Sequence, residues 1–265
     1  MLKGITIGQH YPGDSLLHNL EPRIKIAIIT AYIASLFLLQ GPVGYLIMML
    51  ITLAAVFIAQ LPLRLLLRGL RPLFFIIGFT LVLHIFFTKG GTVWLQLGRF
   101  TIESQGVFTG ALMAWRLMLL VMTTSLLTLT TSPIALTDAI EGLLNPLKRI
   151  GVPAHELAMM MTIALRFIPT LLEEAEKIMR AQMARGADFE SGSVIRRARA
   201  MIPLLVPLFI SAFRRADDLA LAMEARCYRG GEGRTRMKVL VIRLGDWLSL
   251  ASFVGLMVVL VWLGV

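Results

Sequence analysis

The sequence has few charged residues and almost no cysteine. Only 16% of its 265 residues are charged, against about 25% in an ordinary soluble domain, and 57% are hydrophobic. This composition predicts an integral membrane protein and excludes an ordinary soluble domain. Cys227 is the single cysteine, so the chain has no internal disulfide to stabilise its fold.

The motifs of catalytic and nucleotide-binding sites are missing as well. The chain has no Walker A loop, no Rossmann glycine pattern, and no Ser-His-Asp or paired-carboxylate set in a plausible context. Its four histidines lack the spacing of a metal site. The sequence therefore predicts a protein that is not an enzyme and has no cofactor or metal of its own. Any energy that it uses has to come from a partner.

Long apolar runs are what the sequence does contain. Because these runs do not alternate apolar and polar residues, they predict an all-α integral membrane protein and exclude a transmembrane barrel. Residues 1–21 do not have the pattern of a cleaved signal peptide. The five predicted transmembrane helices are residues 24–39, 43–59, 73–87, 105–130 and 244–265.

The positive charge lies between these runs. The net charge is +10, and Lys and Arg concentrate where cytoplasmic segments are expected to carry them. Nucleic acid is therefore not a predicted partner, whereas an acidic protein partner stays open. The N-terminus and the basic segments are predicted to be cytoplasmic, with residues 88–104 and the C-terminus outside. The predicted domains are residues 1–131 with the first four spans, the cytoplasmic region 132–243, and the last span 244–265.

Three arginines follow the second span. Arg64, Arg68 and Arg71 lie at positions i, i+4 and i+7, and therefore on one face of a helix. Leucines fill most of the positions between them. This pattern predicts a short interfacial helix on the cytoplasmic side, just before the third span.

One arginine, Arg116, lies inside the fourth span, where a charge is costly. The cores of the other spans contain no acid that could neutralise it, so a structural and a functional role both stay open. His84, in the third span, is predicted to be a structural polar residue.

Two long helices are predicted between the fourth and fifth spans, and they share one plan. Each has an apolar half with an internal proline, then a charged half, then Ala-Arg and a turn. The ends are Ala184-Arg185-Gly186 and Ala225-Arg226-Cys227, in register at an offset of 41 residues.

Arginine near a helix C-terminus and glycine after it are also an ordinary helix stop. The repeat in matched contexts nevertheless favours a docking role for both ends. Their alanines leave a thin helix end that could enter a groove, where the arginine fork could pair with a carboxylate. Cys227, in place of the glycine, is predicted to be a packing residue.

The apolar halves of the two helices are too short to span a bilayer. They are also too apolar to face water, because large exposed apolar patches normally mark interaction sites. They are therefore predicted to pack against the membrane spans, the membrane interface or another membrane protein.

At these residues the chain resembles a known family, the transmembrane T component of energy-coupling factor (ECF) transporters, a branch of the ABC importers. The resemblance covers nearly the whole chain. It is carried by the two helix ends, with Cys227 departing from the family's glycine, and by the segments Gly8-Gln9, Pro12-Gly13-Asp14-Ser15, Leu17-His18, Glu21 to Lys25 and Leu127 to Pro133.

The resemblance implies that the two long helices are coupling helices that cross in the cytoplasm. Their ends would dock in two cytosolic ABC ATPase subunits, which bind the ATP. Their apolar halves would contact an exchangeable substrate-binding S component, reoriented on ATP hydrolysis for the uptake of a vitamin or another micronutrient. The expected S-component contacts are Met160, Phe167, Leu171, Leu205, Leu208 and Phe209.

Two alternatives stay open beside this transducer in the cell membrane. One is a T component dedicated to cobalt or nickel uptake, and the other is a stand-alone secondary transporter. The substrate cannot be read from this chain, because its pocket would lie in another polypeptide.

Overall fold

Helices form nearly all of the regular structure in the computed structural model, which describes residues 10–39, 41–97, 100–189, 193–231 and 241–262. The segment Gly8-Gln9 lies outside the described residues. The helices are α1 (Leu16–Asn19), α2 (Pro22–Leu38), α3 (Pro42–Ile58), α4 (Leu63–Leu70), α5 (Phe74–Phe87), α6 (Ser104–Thr130), α7 (Pro133–Leu144), α8 (Ala154–Ala184), α9 (Val194–Ala200), α10 (Ile202–Ala225) and α11 (Leu244–Trp262). The predicted all-α membrane fold is confirmed.

A short antiparallel hairpin joins α5 and α6, and the sequence analysis does not predict it. Its strands are β1 (Val93–Leu97) and β2 (Phe100–Glu103). Two 3-10 turns, Arg71–Leu73 and Asn145–Ile150, follow α4 and α7.

Among the residues that the structure describes, four helical stretches are long and apolar enough to cross a membrane: α6, α8, α11 and the continuous stretch Leu63–Phe87. Helix α3 is apolar but shorter, at 17 residues. The chain is thus a multi-pass membrane protein. Because the length and composition of α8 would let it cross a membrane, its predicted cytoplasmic location stays a prediction.

The described chain divides into two compact units. Residues 10–136 and 241–262 form the first, and residues 137–231 form the second. The core of the first unit contains two apolar clusters, and helices α2, α3, α6 and α11 build the larger one. Its buried members are Tyr32, Leu36, Leu39, Tyr45, Met48, Leu119, Met257 and Leu260.

Two segments that carry the family resemblance meet in the first unit. Glu21 caps α2 by accepting hydrogen bonds from the backbone amides of Arg23 at 2.8 Å and Ile24 at 3.1 Å. The same turn places the buried amine of Lys25 at the end of α6. There it donates to the carbonyl oxygen of Thr130 at 3.2 Å and to Oγ1 of Thr131 at 3.0 Å. The opening segment therefore holds the chain where it leaves the fourth predicted span.

Local signals set the helix boundaries that lead into the second unit. Helix α7 begins at Pro133, and Oγ of Ser132 accepts a hydrogen bond from the amide of Ala135 at 3.3 Å, as predicted. The single helix predicted from Val194 onward is wrong in one respect, since it is broken at Met201 into α9 and α10. Pro203 lies in the first turn of α10, where its missing amide donor costs no helical hydrogen bond, whereas Pro169 and Pro207 lie inside α8 and α10 without breaking them.

Candidate functional site

The two Ala-Arg helix ends have the same backbone hydrogen-bond pattern. At the first end, the amide of Gly186 donates to the carbonyl of Met183 and that of Ala187 to Gln182, both at 3.0 Å. At the second end, the amide of Cys227 donates to Glu224 at 2.8 Å and that of Tyr228 to Met223 at 3.0 Å. These pairs are equivalent at the offset of 41 residues. Each end is a Schellman cap, which satisfies the last carbonyls of its helix.

The two arginines therefore have the same backbone conformation. Arg185 has φ −90° and ψ 10°, and Arg226 has φ −91° and ψ 10°. The residue that follows each has positive φ, 87° at Gly186 and 54° at Cys227. A residue other than glycine in this region costs roughly 1–2 kcal/mol, so the second end keeps the same shape at a higher conformational cost.

All six residues of the two motifs are exposed. Neither Arg185 nor Arg226 forms an ion pair with a carboxylate among the described residues. The prediction that Cys227 is a packing residue is wrong, because its thiol is free and exposed. The ends thus present two cations on thin, alanine-lined tips.

Helices α8 and α10 pack against each other in opposite directions. Near their middles, Arg215 of α10 and Glu174 of α8 form an ion pair with a nitrogen to oxygen distance of 3.8 Å. Near the start of α8, Nε2 of His155 lies 3.3 Å from the hydroxyl of Tyr228, just beyond the end of α10. The two arginine tips therefore lie at opposite ends of the helix pair.

The crossing point has an internal symmetry. Glu174 and Arg215 are themselves separated by 41 residues, the offset of the repeat, and each lies 11 residues before the arginine of its own tip. An approximate twofold axis that exchanges the two antiparallel helices would pass through such a contact between equivalent positions. At ~1.5 Å per helical residue, each tip lies about 16 Å along its helix from this contact.

The second tip has additional polar contacts that have no equivalent at the first tip. Nδ1 of His155 lies 3.0 Å from Oε1 of Glu141, and its other ring nitrogen faces Tyr228. Since Tyr228 is the last residue of the second Schellman cap, this chain of contacts links that cap to α7 and to the start of α8. Ala187, its equivalent at the first cap, has no polar side chain that could make such a link.

The apolar halves of α8 and α10 expose much of their surface. Among the six predicted contact residues, Met160, Leu205 and Phe209 are exposed, whereas Phe167, Leu171 and Leu208 are half-buried. Sequence reasoning found only Phe209 of an exposed stripe on α10 at helical spacing, whose i, i+4 period could have revealed the rest. The stripe consists of Ile202, Val206, Phe209, Ile210 and Phe213.

The partner of Arg116, which the sequence does not show, is an aromatic residue. Nε of Arg116 donates to the hydroxyl of Tyr45 at 2.8 Å, and a second guanidinium nitrogen contacts the same oxygen. The guanidinium also lies 5.2 Å from the centre of the Phe37 ring, within the range of a cation–π interaction. Tyr45 belongs to the buried core, so these contacts favour the structural role of Arg116.

Comparison with known proteins shows the family to which the chain belongs. The model of the CbiQ family, described as "Cobalt transport protein", matches residues 13–237. A protein of Thermosediminibacter oceani is 56% identical over 254 residues, covering 96% of this chain and 94% of its own length. One of Acidaminococcus fermentans is 54% identical over 263 residues, covering 99% and 98%.

A third relative, from Bacillus subtilis, is 47% identical over 263 residues and covers 99% of both chains. Each of the three relatives is named energy-coupling factor transporter transmembrane protein EcfT. The match extends over both helix ends and nearly all of the described helices. The chain therefore belongs to the EcfT/CbiQ family, the transmembrane components of energy-coupling factor transporters.

Proposed function

We propose that this transmembrane component transmits ATP hydrolysis by two cytosolic ABC ATPase subunits to a substrate-binding S component. Residues Ala184, Arg185 and Gly186 dock on one ATPase subunit, and Ala225, Arg226 and Cys227 dock on the other. ATP is bound by these partners, and the coupling helices α8 and α10 carry their movement to the membrane. The substrate is a vitamin or another micronutrient, and the chain itself is not an enzyme.

The matched Schellman caps are the observation that carries this proposal. A cap that holds its arginine in one conformation reduces the entropy lost when the guanidinium pairs with a carboxylate. Two tips with the same shape suit two similar grooves, and their location at opposite ends of the helix pair suits two separate subunits. Because a Schellman cap is also a common helix stop, what favours docking is the exposed arginine at the same position of both caps, without an ion-pair partner among the described residues.

The exposed apolar surface supports the second half of the proposal. The exposed stripe on α10 and the exposed methionines of α8 are expected to be buried against an apolar partner surface. In our proposal the S component provides this cover, through Met160, Phe167, Leu171, Leu205, Leu208 and Phe209 together with the α10 stripe. The N-terminus and the coupling helices are then cytoplasmic, and the complex lies in the cell membrane.

Charge reversal at both tips tests the docking. The variant Arg185→Glu/Arg226→Glu, purified from its native membrane by an affinity tag, should no longer retain ATPase subunits. It should still retain the S component, because the apolar stripe is unchanged. The control Arg197→Glu/Arg199→Glu makes the same charge change at exposed residues of α9 and should retain both partners. ATPase subunits that co-purify unchanged with the double tip variant would contradict the proposal.

The description of the matched family model favours one alternative, a T component dedicated to cobalt or nickel uptake. The partners decide between the two functions. We expect a shared T component to co-purify with several different S components, whereas a dedicated one co-purifies with one. Uptake of radiolabelled cobalt by cells that express the complete complex provides the second measurement.

A further inference from the structure

Helix α4 presents a basic face that the proposed function does not use. Leu66 and Leu70, only 1% and 2% exposed, bury one side of this helix. Arg64, Arg68 and Arg71 all lie on the opposite side, within an arc of about 60° at ~100° per residue. Each of the three is exposed. The short helix predicted from the sequence is therefore present, with its arginines on a single face.

The packing of α4 places this face beside the end of a membrane-spanning helix. Leu66 belongs to a buried cluster with Leu126 and Leu129 of α6. The Cβ position of Gly69 lies 3.3 Å from Oγ of Ser125, so the backbone of α4 closely approaches α6. These residues of α6 belong to its last two turns.

The other end of α4 leads directly into apolar surface. After the 3-10 turn that follows it, α5 exposes the aromatic rings of Phe74, Phe75 and Phe79, with Phe75 79% exposed. Rings with this exposure fit the hydrocarbon of a bilayer. Helix α4 therefore lies at the depth where hydrocarbon gives way to lipid headgroups.

The three arginines have no carboxylate partner within the described part of the chain. Leu63 and Leu67, 48% and 55% exposed, lie on the flank between the basic face and the buried face. A ligand that covers both has to combine negative charge with hydrocarbon. A water-soluble acidic protein surface matches only the charge.

We propose that the basic face of α4 binds the phosphate groups of anionic phospholipids, whose acyl chains cover Leu63 and Leu67. Arginine forks suit phosphate oxygens, and spacing along one face lets the three side chains reach headgroups in one plane. The contact holds α4 at the membrane surface and, through its packing, holds the end of α6. This inference does not depend on docking at the arginine tips.

The test measures lipid selectivity on the full-length chain in vesicles. Spin-labelled phosphatidylglycerol and phosphatidylcholine are compared in phosphatidylcholine vesicles that contain the wild-type protein or Arg64→Gln/Arg68→Gln/Arg71→Gln. A surface arginine contributes about fivefold to the attraction of an anionic membrane. The triple variant should therefore lose at least about tenfold in its relative affinity for phosphatidylglycerol, and salt should reduce the wild-type affinity. Phosphatidylcholine should associate equally with both proteins.

Two controls make the result specific. The variant Arg196→Gln/Arg197→Gln/Arg199→Gln removes the same charge from α9 and should keep the selectivity. The variant Arg64→Lys/Arg68→Lys/Arg71→Lys keeps the positive charge of α4 and should keep most of the selectivity for phosphatidylglycerol. Equal selectivity in the wild type and the α4 glutamine variant would overturn the proposal. So would equal losses of selectivity in the α4 and α9 variants.

If the triple variant is not monodisperse after purification, Arg68→Gln provides the measurement, because this residue lies at the centre of the face. Inorganic phosphate up to millimolar concentration should not displace the labelled lipid. Displacement by free phosphate would show an anion site without a lipid requirement and would also overturn the proposal.

Discussion

The two arginine tips have the same backbone shape but keep it by different means. At the first tip, Gly186 takes positive φ without steric cost, and no atom lies within 4 Å of the position a Cβ would occupy. At the second tip, Cys227 takes the same region at a cost of about 1–2 kcal/mol. The hydrogen bond from Tyr228 to His155 can offset part of this cost, since such bonds contribute about 0.5–1.5 kcal/mol. The comparison indicates that the cap geometry, rather than the glycine, is what both tips have in common.

The largest expected effect is on the affinity with which each tip binds an ATPase subunit. A hydrogen bond to a charged group contributes about 1.5–3 kcal/mol, so Arg185→Ala and Arg226→Ala should each weaken binding of a purified ATPase subunit by roughly 10- to 100-fold. The losses should be similar, because the two arginines have the same conformation. Lysine at either position should restore only part of the affinity, because it lacks the planar fork. Biolayer interferometry measures all four variants, each with the arginine of the other tip changed to glutamate, and a tip whose alanine variant then binds as well as its arginine is not a docking site.

Exchanging the residues after the arginines should have opposite effects on the two tips. Gly186→Ala should destabilise the end of α8 by about 1 kcal/mol, and Cys227→Gly should stabilise the end of α10 by a similar amount. The open space around Gly186 means that only backbone strain contributes. Amide hydrogen exchange of residues 182–187 and 223–228 measures both effects. If both variants stabilised, or both destabilised, their helix ends, the backbone strain assigned to Cys227 would be contradicted.

Sequence reasoning succeeds where the signal is local. The start of α7 at Ser132-Pro133, the end of α8 before Gly186, and both tips follow from capping residues and short motifs whose physical chemistry acts within one turn. The fold class follows from apolar runs for the same reason.

Contacts between distant segments could not be predicted. The approach of Lys25 to Thr130 and Thr131 joins residues about 105 positions apart, and the link from His155 to Tyr228 depends on how α8 and α10 pack. A single sequence does not show which of many polar residues meet after folding. The break at Met201 could not be predicted either, because Pro169 and Pro207 are equally visible in the sequence and lie inside unbroken helices.

Removing the contact between Tyr228 and His155 should have a smaller effect on stability, and this effect should be confined to the second tip. Tyr228→Phe deletes the hydroxyl that faces His155, and we expect it to destabilise the second cap by about 0.5–1.5 kcal/mol. Exchange at residues 223–228 should accelerate while exchange at residues 182–187 stays unchanged. His155→Phe should produce the same change, and combining the two variants should add little to either. Faster amide hydrogen exchange at both caps would show that the contact between Tyr228 and His155 stabilises the whole helix pair.

The smallest effect is expected at the crossing point. The ion pair of Glu174 and Arg215 is 3.8 Å long, and the side chains are 31% and 39% exposed, so solvent screening limits its contribution to less than about 1 kcal/mol. A double-mutant cycle with Glu174→Gln and Arg215→Gln measures this coupling by denaturation. If the two helices are related by an approximate twofold axis through this contact, the swap Glu174→Arg/Arg215→Glu should restore the pair and the wild-type stability. A swap that stays as unstable as the worse single variant would show that the environments of the two positions differ. The structural repeat would then include both tips but not the contact between Glu174 and Arg215.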